Sequence, residues 1–149
     1  MSSERVLFIT GRLSEPALRR VVDELESEFS VEGDIAVLNI TVAALMHTDW
    51  IARHLIVEQA YERAIIPGWC QGDLHLLSEQ FGIPFERGPK ELFDLPEYWG
   101  GMARTPPALD SYNIEILAEI NHAPRLSDSE RLRMAHSYRE SGADVIDLG

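Results

Sequence analysis

Apolar and polar positions at the start of the chain follow the pattern of a strand and then an amphipathic helix. The run R-V-L-F-I at residues 5–9 is continuously apolar around its centre, as in a parallel strand buried on both faces. Ser14 and Pro16 then offer a helix N-cap and a first-turn proline. Apolar residues recur after them at the spacing of one helix face, at Leu18, Val21, Val22, Leu25 and Phe29.

Further short apolar runs predict three more strands, at residues 34–40, 63–66 and 83–86. Predicted helices that begin near Thr48 and at Leu74 separate them. Strands that alternate with helices pair in parallel and are joined by right-handed crossovers. We therefore predict an α/β fold with a Rossmann-like or flavodoxin-like open parallel sheet of about four strands, flanked by helices.

The composition changes after the fourth predicted strand. Residues 88–112 are rich in proline and glycine, and T-P-P within them has the composition of a linker. We assign residues 1–103 to an N-terminal α/β domain and residues 104–112 to a linker. Residues 113–149 then form a third segment.

This third segment has the pattern of one β-α-β unit. Strands are predicted at residues 114–120 and 144–148. Between them Ser127 and Glu130 form the S-x-x-E pattern of a capping box, and Gly142 is placed to end the helix.

The charge of the chain excludes one class of function. There are 25 acidic and 13 basic residues, for a net charge of −12, and nucleic-acid binding needs clustered cations. No apolar run has the length of a membrane span, and there is no secretory signal pattern. We expect a cytoplasmic protein that binds neither nucleic acid nor a membrane.

Polar residues follow the predicted strands, where ligands bind in open parallel sheets. Thr10, Arg12, Arg87 and Lys90 occupy such positions, so we predict a crevice that recognises a phosphorylated or carboxylated small molecule. Alternatively, the nearby glycines are only turn residues and the arginines neutralise neighbouring acids. Neither the dinucleotide-binding glycine pattern nor a P-loop is present.

The single cysteine, Cys70, excludes an intramolecular disulfide and a cysteine-rich zinc site. A nucleophilic role beside His75 is conceivable, but we expect an inert, buried thiol. His47, Asp49 and His54 do not have the spacing of a helical metal-ligand pair, and we expect structural or surface roles for them.

Glu119 and Asn121 lie two residues apart at the end of a predicted strand, and thus on the same side of it. Their oxygen atoms would suit Mg²⁺ bound together with pyrophosphate. The alternative is that Asn121 and His122 form a polar turn before Pro124.

Two motifs in the third segment resemble a known family. N-H-A-P-R-L-S at residues 121–127 and G-A-D-V-I-D-L-G at residues 142–149 resemble the opening β-α-β unit of dihydropteroate synthase and related pterin-binding TIM barrels. The chain as a whole, with T-G-R-L-S-E-P-A-L and R-G-P-K, resembles the N-terminal part of the dihydropteroate synthase-like proteins of tetrahydromethanopterin-producing organisms. The resemblance implies that residues 113–149 begin a truncated TIM barrel.

The resemblance also implies functional roles. Asn121 matches the asparagine that helps to hold Mg²⁺ and the pterin pyrophosphate, and Asp147 matches an aspartate near the pterin, so with Glu119 they are candidate substrate-binding residues. His122, Ala123 and Arg125 depart from the family motif. The implied parent activity is a transferase that condenses a pterin pyrophosphate with an arylamine in tetrahydromethanopterin biosynthesis.

A TIM barrel takes about 250 residues. We therefore expect this chain to be an N-terminal fragment without catalytic activity of its own. The open strand edges of residues 114–149 are expected to pack on the N-terminal sheet or to pair with another chain, and we predict a homo-oligomer through this segment. A domain that only supports or dimerises the barrel is the structural alternative.

Overall fold

The computed structural model describes residues 3–105 and 113–149. They fall into two compact units that divide between Thr105 and Pro106. The predicted linker, residues 104–112, lies outside the described residues except for Arg104 and Thr105.

The first unit is a four-stranded parallel sheet with helices on its faces. Its strands are β1 (Glu4–Gly11), β2 (Val31–Leu38), β3 (Arg63–Ile66) and β4 (Phe85–Arg87). Its helices are α1 (Glu15–Glu28), α2 (Thr48–His54), α3 (Leu74–Phe81) and the short α4 (Leu95–Tyr98). The strand order is β2-β1-β3-β4 and every pair is parallel, which is the order of flavodoxin-like sheets. The predicted α/β fold is confirmed.

Strand β1 is apolar throughout its centre because both of its faces are covered. Val6 and Phe8 pack with the apolar face of α1, in a cluster that includes Leu25. Leu7 and Ile9 belong to a second cluster on the other face, formed with residues of α2 and α3. The continuous apolar run thus reflects a central strand between two cores.

The helix ends follow local sequence signals. Asp73 caps α3, where its side chain accepts a hydrogen bond from the His75 N–H at 2.9 Å, and Gly82 ends that helix with a left-handed φ of 68°. His47 is the N-cap of α2, so this helix begins at Thr48, where the sequence predicts it. No helix among residues 3–105 and 113–149 has the length and apolar character needed to cross a membrane.

Strand β2 begins three residues earlier than predicted and ends two residues earlier. Val31 is buried against α1, and the carboxylate of Glu26 accepts the Gly33 N–H at 2.8 Å, so this polar stretch is held in the sheet by α1. At the other end of the strand the Ile40 N–H donates to the carbonyl of Leu38 at 2.7 Å, in a tight turn that ends β2. Tertiary contacts therefore shift the strand relative to its apolar pattern.

The second unit is a β-α-β unit of β5 (Leu117–Ile120), α5 (Asp128–Glu140) and β6 (Val145–Leu148). β5 and β6 form a two-stranded parallel sheet, and the predicted capping box of Ser127 and Glu130 is present. β5 begins three residues later than predicted. Two strands do not close a barrel, so the TIM-barrel assignment stays a prediction.

Few side chains of this second unit are buried. The hydrophobic residues buried among its described positions are Ile120, Ala123 and Ala143. Leu117 on β5 and Leu148 on β6 are both 62% exposed. Its apolar surface therefore exceeds what the unit itself can cover.

Candidate ligand-binding site

A cavity of about 150 Å³ lies at the carboxyl ends of β1 and β3. These two strands are neighbours, but the chain continues from β1 to β2 on one side and from β3 to β4 on the other. Loops diverge at such a switch point of strand order, and doubly wound sheets bind their ligands in the crevice that results.

The walls of the cavity are mainly apolar. Phe8 and Ile65 contribute from the two strands, Leu18 from α1, and Leu92 and Leu95 from the segment after β4. Since most of these side chains also belong to the core cluster beneath α1, the cavity is a continuation of that core toward solvent.

Three polar side chains line the same cavity: Thr10, Ser14 and Lys90. Thr10 is only 2% exposed, and its hydroxyl lies 3.4 Å from the carbonyl of Gly11, longer than an ordinary O–H···O hydrogen bond. Ser14 occupies the N-cap of α1, yet its side chain makes no capping hydrogen bond. Both hydroxyls therefore retain capacity to bind a ligand.

Lys90 lines the cavity and is exposed to solvent. Its Nζ atom lies 4.5 Å from the centroid of the Trp69 ring, in a cation–π contact. Within residues 3–105 and 113–149 no carboxylate lies within 4.0 Å of this ammonium group. The cavity thus carries a cation that the described acids do not neutralise.

Position 68, which lines the cavity, requires a glycine. A Cβ atom there would lie 2.5 Å from the carbonyl oxygen of Pro89 and 2.6 Å from that of Gly88. The loops after β3 and β4 therefore meet backbone to backbone, which brings Trp69 and Lys90 together.

Arg12 lies at the end of β1 but does not line the cavity. Its guanidinium donates to Asn39 Oδ1 at 2.9 Å and to Thr41 Oγ1 at 3.1 Å. Both partners are neutral, so this arginine joins the β1 and β2 ends without neutralising an acid.

Arg87 likewise lies outside the cavity lining. Its Nε donates to the carbonyl of Cys70 at 2.8 Å, and one Nη donates to the carbonyl of Gly72. It holds the loop after β3 against the end of β4. Of the predicted crevice residues, the structure therefore brings together Thr10 and Lys90, but not Arg12 or Arg87.

Sequence reasoning missed Ser14 as a site residue because it treated this serine as a helix cap. Serine is preferred at N-caps because its hydroxyl accepts a backbone hydrogen bond, and the sequence does not show that the Ser14 hydroxyl makes no such bond. Its position between a strand end and a helix, in T-G-R-L-S, indicates only that it lies at the sheet edge where ligands bind.

Cys70 is 1% exposed, and its thiol points to the carbonyl of Ala43 at 3.6 Å. Burial raises the pKa of this thiol to about 11, although nearby Arg87 lowers it. His75 lies instead beside Glu79, at 3.4 Å. The thiol is thus protonated at neutral pH, and the environment does not favour a nucleophile.

Glu119 and Asp147 are register partners on β5 and β6, so both exposed side chains lie on the same face of the two-stranded sheet. Exposed Asn121 follows β5 in a turn, where His122 has a left-handed φ of 56°. Carboxylate and amide oxygens suit Mg²⁺, which binds through one or two carboxylates and keeps several waters. No group of three or more His, Cys, Asp or Glu side chains placed to hold a metal occurs within the described ranges.

Comparison with known proteins gives a family of unknown function, DUF6513, which matches residues 4–90. The chain is also similar to an uncharacterized protein of Methanocaldococcus jannaschii, with 24% identity over an alignment of 195 residues that covers 97% of the chain and 36% of that protein. It thus spans about a third of the length of this relative. No solved structure matches the chain. All four strands of the first sheet lie in the matched segment, and the chain belongs to the DUF6513 family.

Proposed function

We propose that residues 3–105 form a binding module for a small carboxylated or phosphorylated molecule, which occupies the cavity between β1 and β3. The observation that carries the proposal is the convergence of Thr10, Ser14 and Lys90 on an otherwise apolar cavity at the switch point of the sheet. A few polar groups in a mainly apolar concavity are typical of small-molecule sites.

Charge supports an anionic ligand. The protein has a net charge of −12, so an anion gains from binding only where a local cation outweighs the overall repulsion. Lys90 supplies that cation, and a charge-assisted hydrogen bond to it is stronger than one between neutral groups. The two hydroxyls can donate to the remaining lone pairs of the anion.

Substitution of Lys90 by methionine is expected to weaken the binding of small anions at least ~10-fold, which corresponds to about 1.4 kcal/mol. The measurement is a titration with benzoate and with phenyl phosphate, followed by the ¹H–¹⁵N amide spectrum. Arg53→Met is the matched control, because it also removes one cation but from an exposed residue of α2 outside the cavity. Equal losses in the two variants would contradict the proposed site.

A second function concerns residues 113–149, which we propose contribute to a Mg²⁺ and pterin-pyrophosphate site in a longer transferase of tetrahydromethanopterin biosynthesis. The register pairing of Glu119 with Asp147 favours it, since both carboxylates lie beside the strand ends at which barrel enzymes place their sites. In this proposal the protein works in the cytoplasm, and homo-oligomer formation stays a prediction.

Addition of Mg²⁺ and pyrophosphate to the chain is expected to shift the amide resonances of Glu119, Asn121 and Asp147, with a dissociation constant of about 1 mM, where binding is worth only about 4 kcal/mol. Asn121→Ala should reduce the affinity several-fold because it removes an oxygen ligand. Asn113→Ala, the same substitution at another exposed position of this segment, should not. An unchanged spectrum of the unsubstituted chain would argue against the site.

A further inference from the structure

We propose that the ligand of the cavity between β1 and β3 is a compact monocarboxylate with an apolar body of about one ring, and not a phosphate ester or a nucleotide. This inference rests on the proposed binding function of residues 3–105. It narrows the ligand class by three features of the cavity: its size, the backbone around it and its charge.

The size of the cavity limits how much of a ligand it can enclose. Its volume of about 150 Å³ is comparable with that of a protein cavity that holds one benzene molecule, about 150 Å³. Pockets for drug-sized ligands begin at roughly 300 Å³. A single six-membered ring fills this volume, whereas a nucleoside with its phosphates would have to extend out of it into solvent.

The backbone of the loop between β1 and α1 is not arranged for a phosphate. Doubly wound folds bind phosphate with free N–H groups of this loop and of the following helix N-terminus. Here the Arg12 N–H donates to the carbonyl of Ile40 at 2.9 Å, and the Leu13 N–H donates to that of Thr41 at 3.2 Å. Two of the amides that would cradle a phosphate are therefore already used, and Pro16 in the first turn of α1 has no N–H to offer.

Close packing holds the loop in this state. A Cβ atom on Gly11 would lie 2.8 Å from the carbonyl oxygen of Ile40 and 3.1 Å from the Ala43 nitrogen. Arg12 adds side-chain hydrogen bonds to Asn39 and Thr41. Freeing the amides would require separation of the β1 and β2 loops, with the loss of all these contacts.

The charge and donors of the cavity match a carboxylate. A phosphate monoester carries about −1.5 to −2 charges and three acceptor oxygens at neutral pH. The cavity offers one cation, Lys90, and two hydroxyls, those of Thr10 and Ser14. One negative charge and two oxygens fit this set, and the apolar walls fit the ring.

The test compares three probes that share a phenyl ring and differ in their head group: benzoate, phenyl phosphate and benzamide. Binding is followed by amide shifts around Thr10, Ser14 and Lys90. A second readout is protection of Lys90, the only lysine of the chain, from an amine-acylating reagent, measured by mass spectrometry. We expect benzoate to bind at least ~10-fold more tightly than the other two and to protect Lys90, because benzamide brings no charge to Lys90 and phenyl phosphate brings more charge and more oxygens than the cavity can match.

The outcomes separate the two proposals. If phenyl phosphate binds as tightly as benzoate or more tightly, the carboxylate inference is overturned while the binding function stands. If benzamide equals benzoate, charge does not determine binding, and the inference is again overturned. If no probe shifts the cavity residues, both proposals fail. Lys90→Met should abolish the preference for benzoate, and Arg53→Met, at an exposed residue of α2 outside the cavity, should retain it.

Discussion

Substitution of Phe8 by alanine is expected to lower the free energy of unfolding by about 4 kcal/mol. Phe8 is 1% exposed at the centre of β1, and its ring packs beneath α1, 5.7 Å from the ring of Trp99. Its removal would enlarge an existing cavity, so the surrounding helices cannot easily close the space. Urea unfolding, followed by circular dichroism, measures the loss.

Two controls accompany this variant. Phe8→Leu keeps most of the buried volume and should cost only about 1–1.5 kcal/mol. Phe93→Ala removes the same side chain from a position that is 50% exposed, and should cost about 0.5 kcal/mol or less. A loss for Phe8→Ala no larger than that for Phe93→Ala would show that the core cluster beneath α1 does not stabilise the fold as described.

Substitution of Gly72 by alanine is expected to destabilise the protein by about 3 kcal/mol, through backbone strain and a steric clash together. Gly72 has a φ of 104°, and a Cβ atom there would lie 2.1 Å from the Thr48 hydroxyl. Thr48 is fully buried and its hydroxyl lacks a hydrogen-bond partner among the described residues, so a shift of this side chain would disturb the packing of α2. Thermal and urea unfolding both measure the effect.

Gly100→Ala separates the two contributions to this loss. Gly100 also has a positive φ, 84°, but nothing lies within 4 Å of its Cβ position, so only the strain of about 1 kcal/mol should remain. In the double variant Gly72→Ala with Thr48→Ala, part of the stability should return, because the closest clashing atom is gone. Equal losses for Gly72→Ala and Gly100→Ala would exclude the clash.

Much of the first sheet could be predicted from the sequence because its signals are local. The apolar run around Phe8 continues on both strand faces, so it marks a central strand whatever its neighbours are. Gly82 likewise ends α3 through its own backbone conformation. The start of β2 could not be predicted, since Val31 and Gly33 are held there by contacts with α1.

The candidate site could be predicted only in part, for a related reason. Parallel topology places Thr10, Arg12, Arg87 and Lys90 near the strand ends, but it does not decide where a long side chain points. Arg12 donates hydrogen bonds to side chains of the loop after β2, and Arg87 donates to backbone carbonyls of the loop after β3. Such partners depend on loop conformations, which periodicity does not encode. Only Lys90 and buried Thr10 remain at the cavity.

The strand order has a consequence for how the protein folds during synthesis. β2 pairs with β1, β3 pairs with β1, and β4 pairs with β3, so each strand joins one that precedes it in the chain. A ribosome releases the N-terminal residues first, and the sheet can grow in that order without waiting for a later strand. The sheet thus grows outward from β1 in both directions. A substitution that prevents β1 from forming would therefore also prevent β2 and β3 from pairing with it, and would leave β4 without a sheet to join.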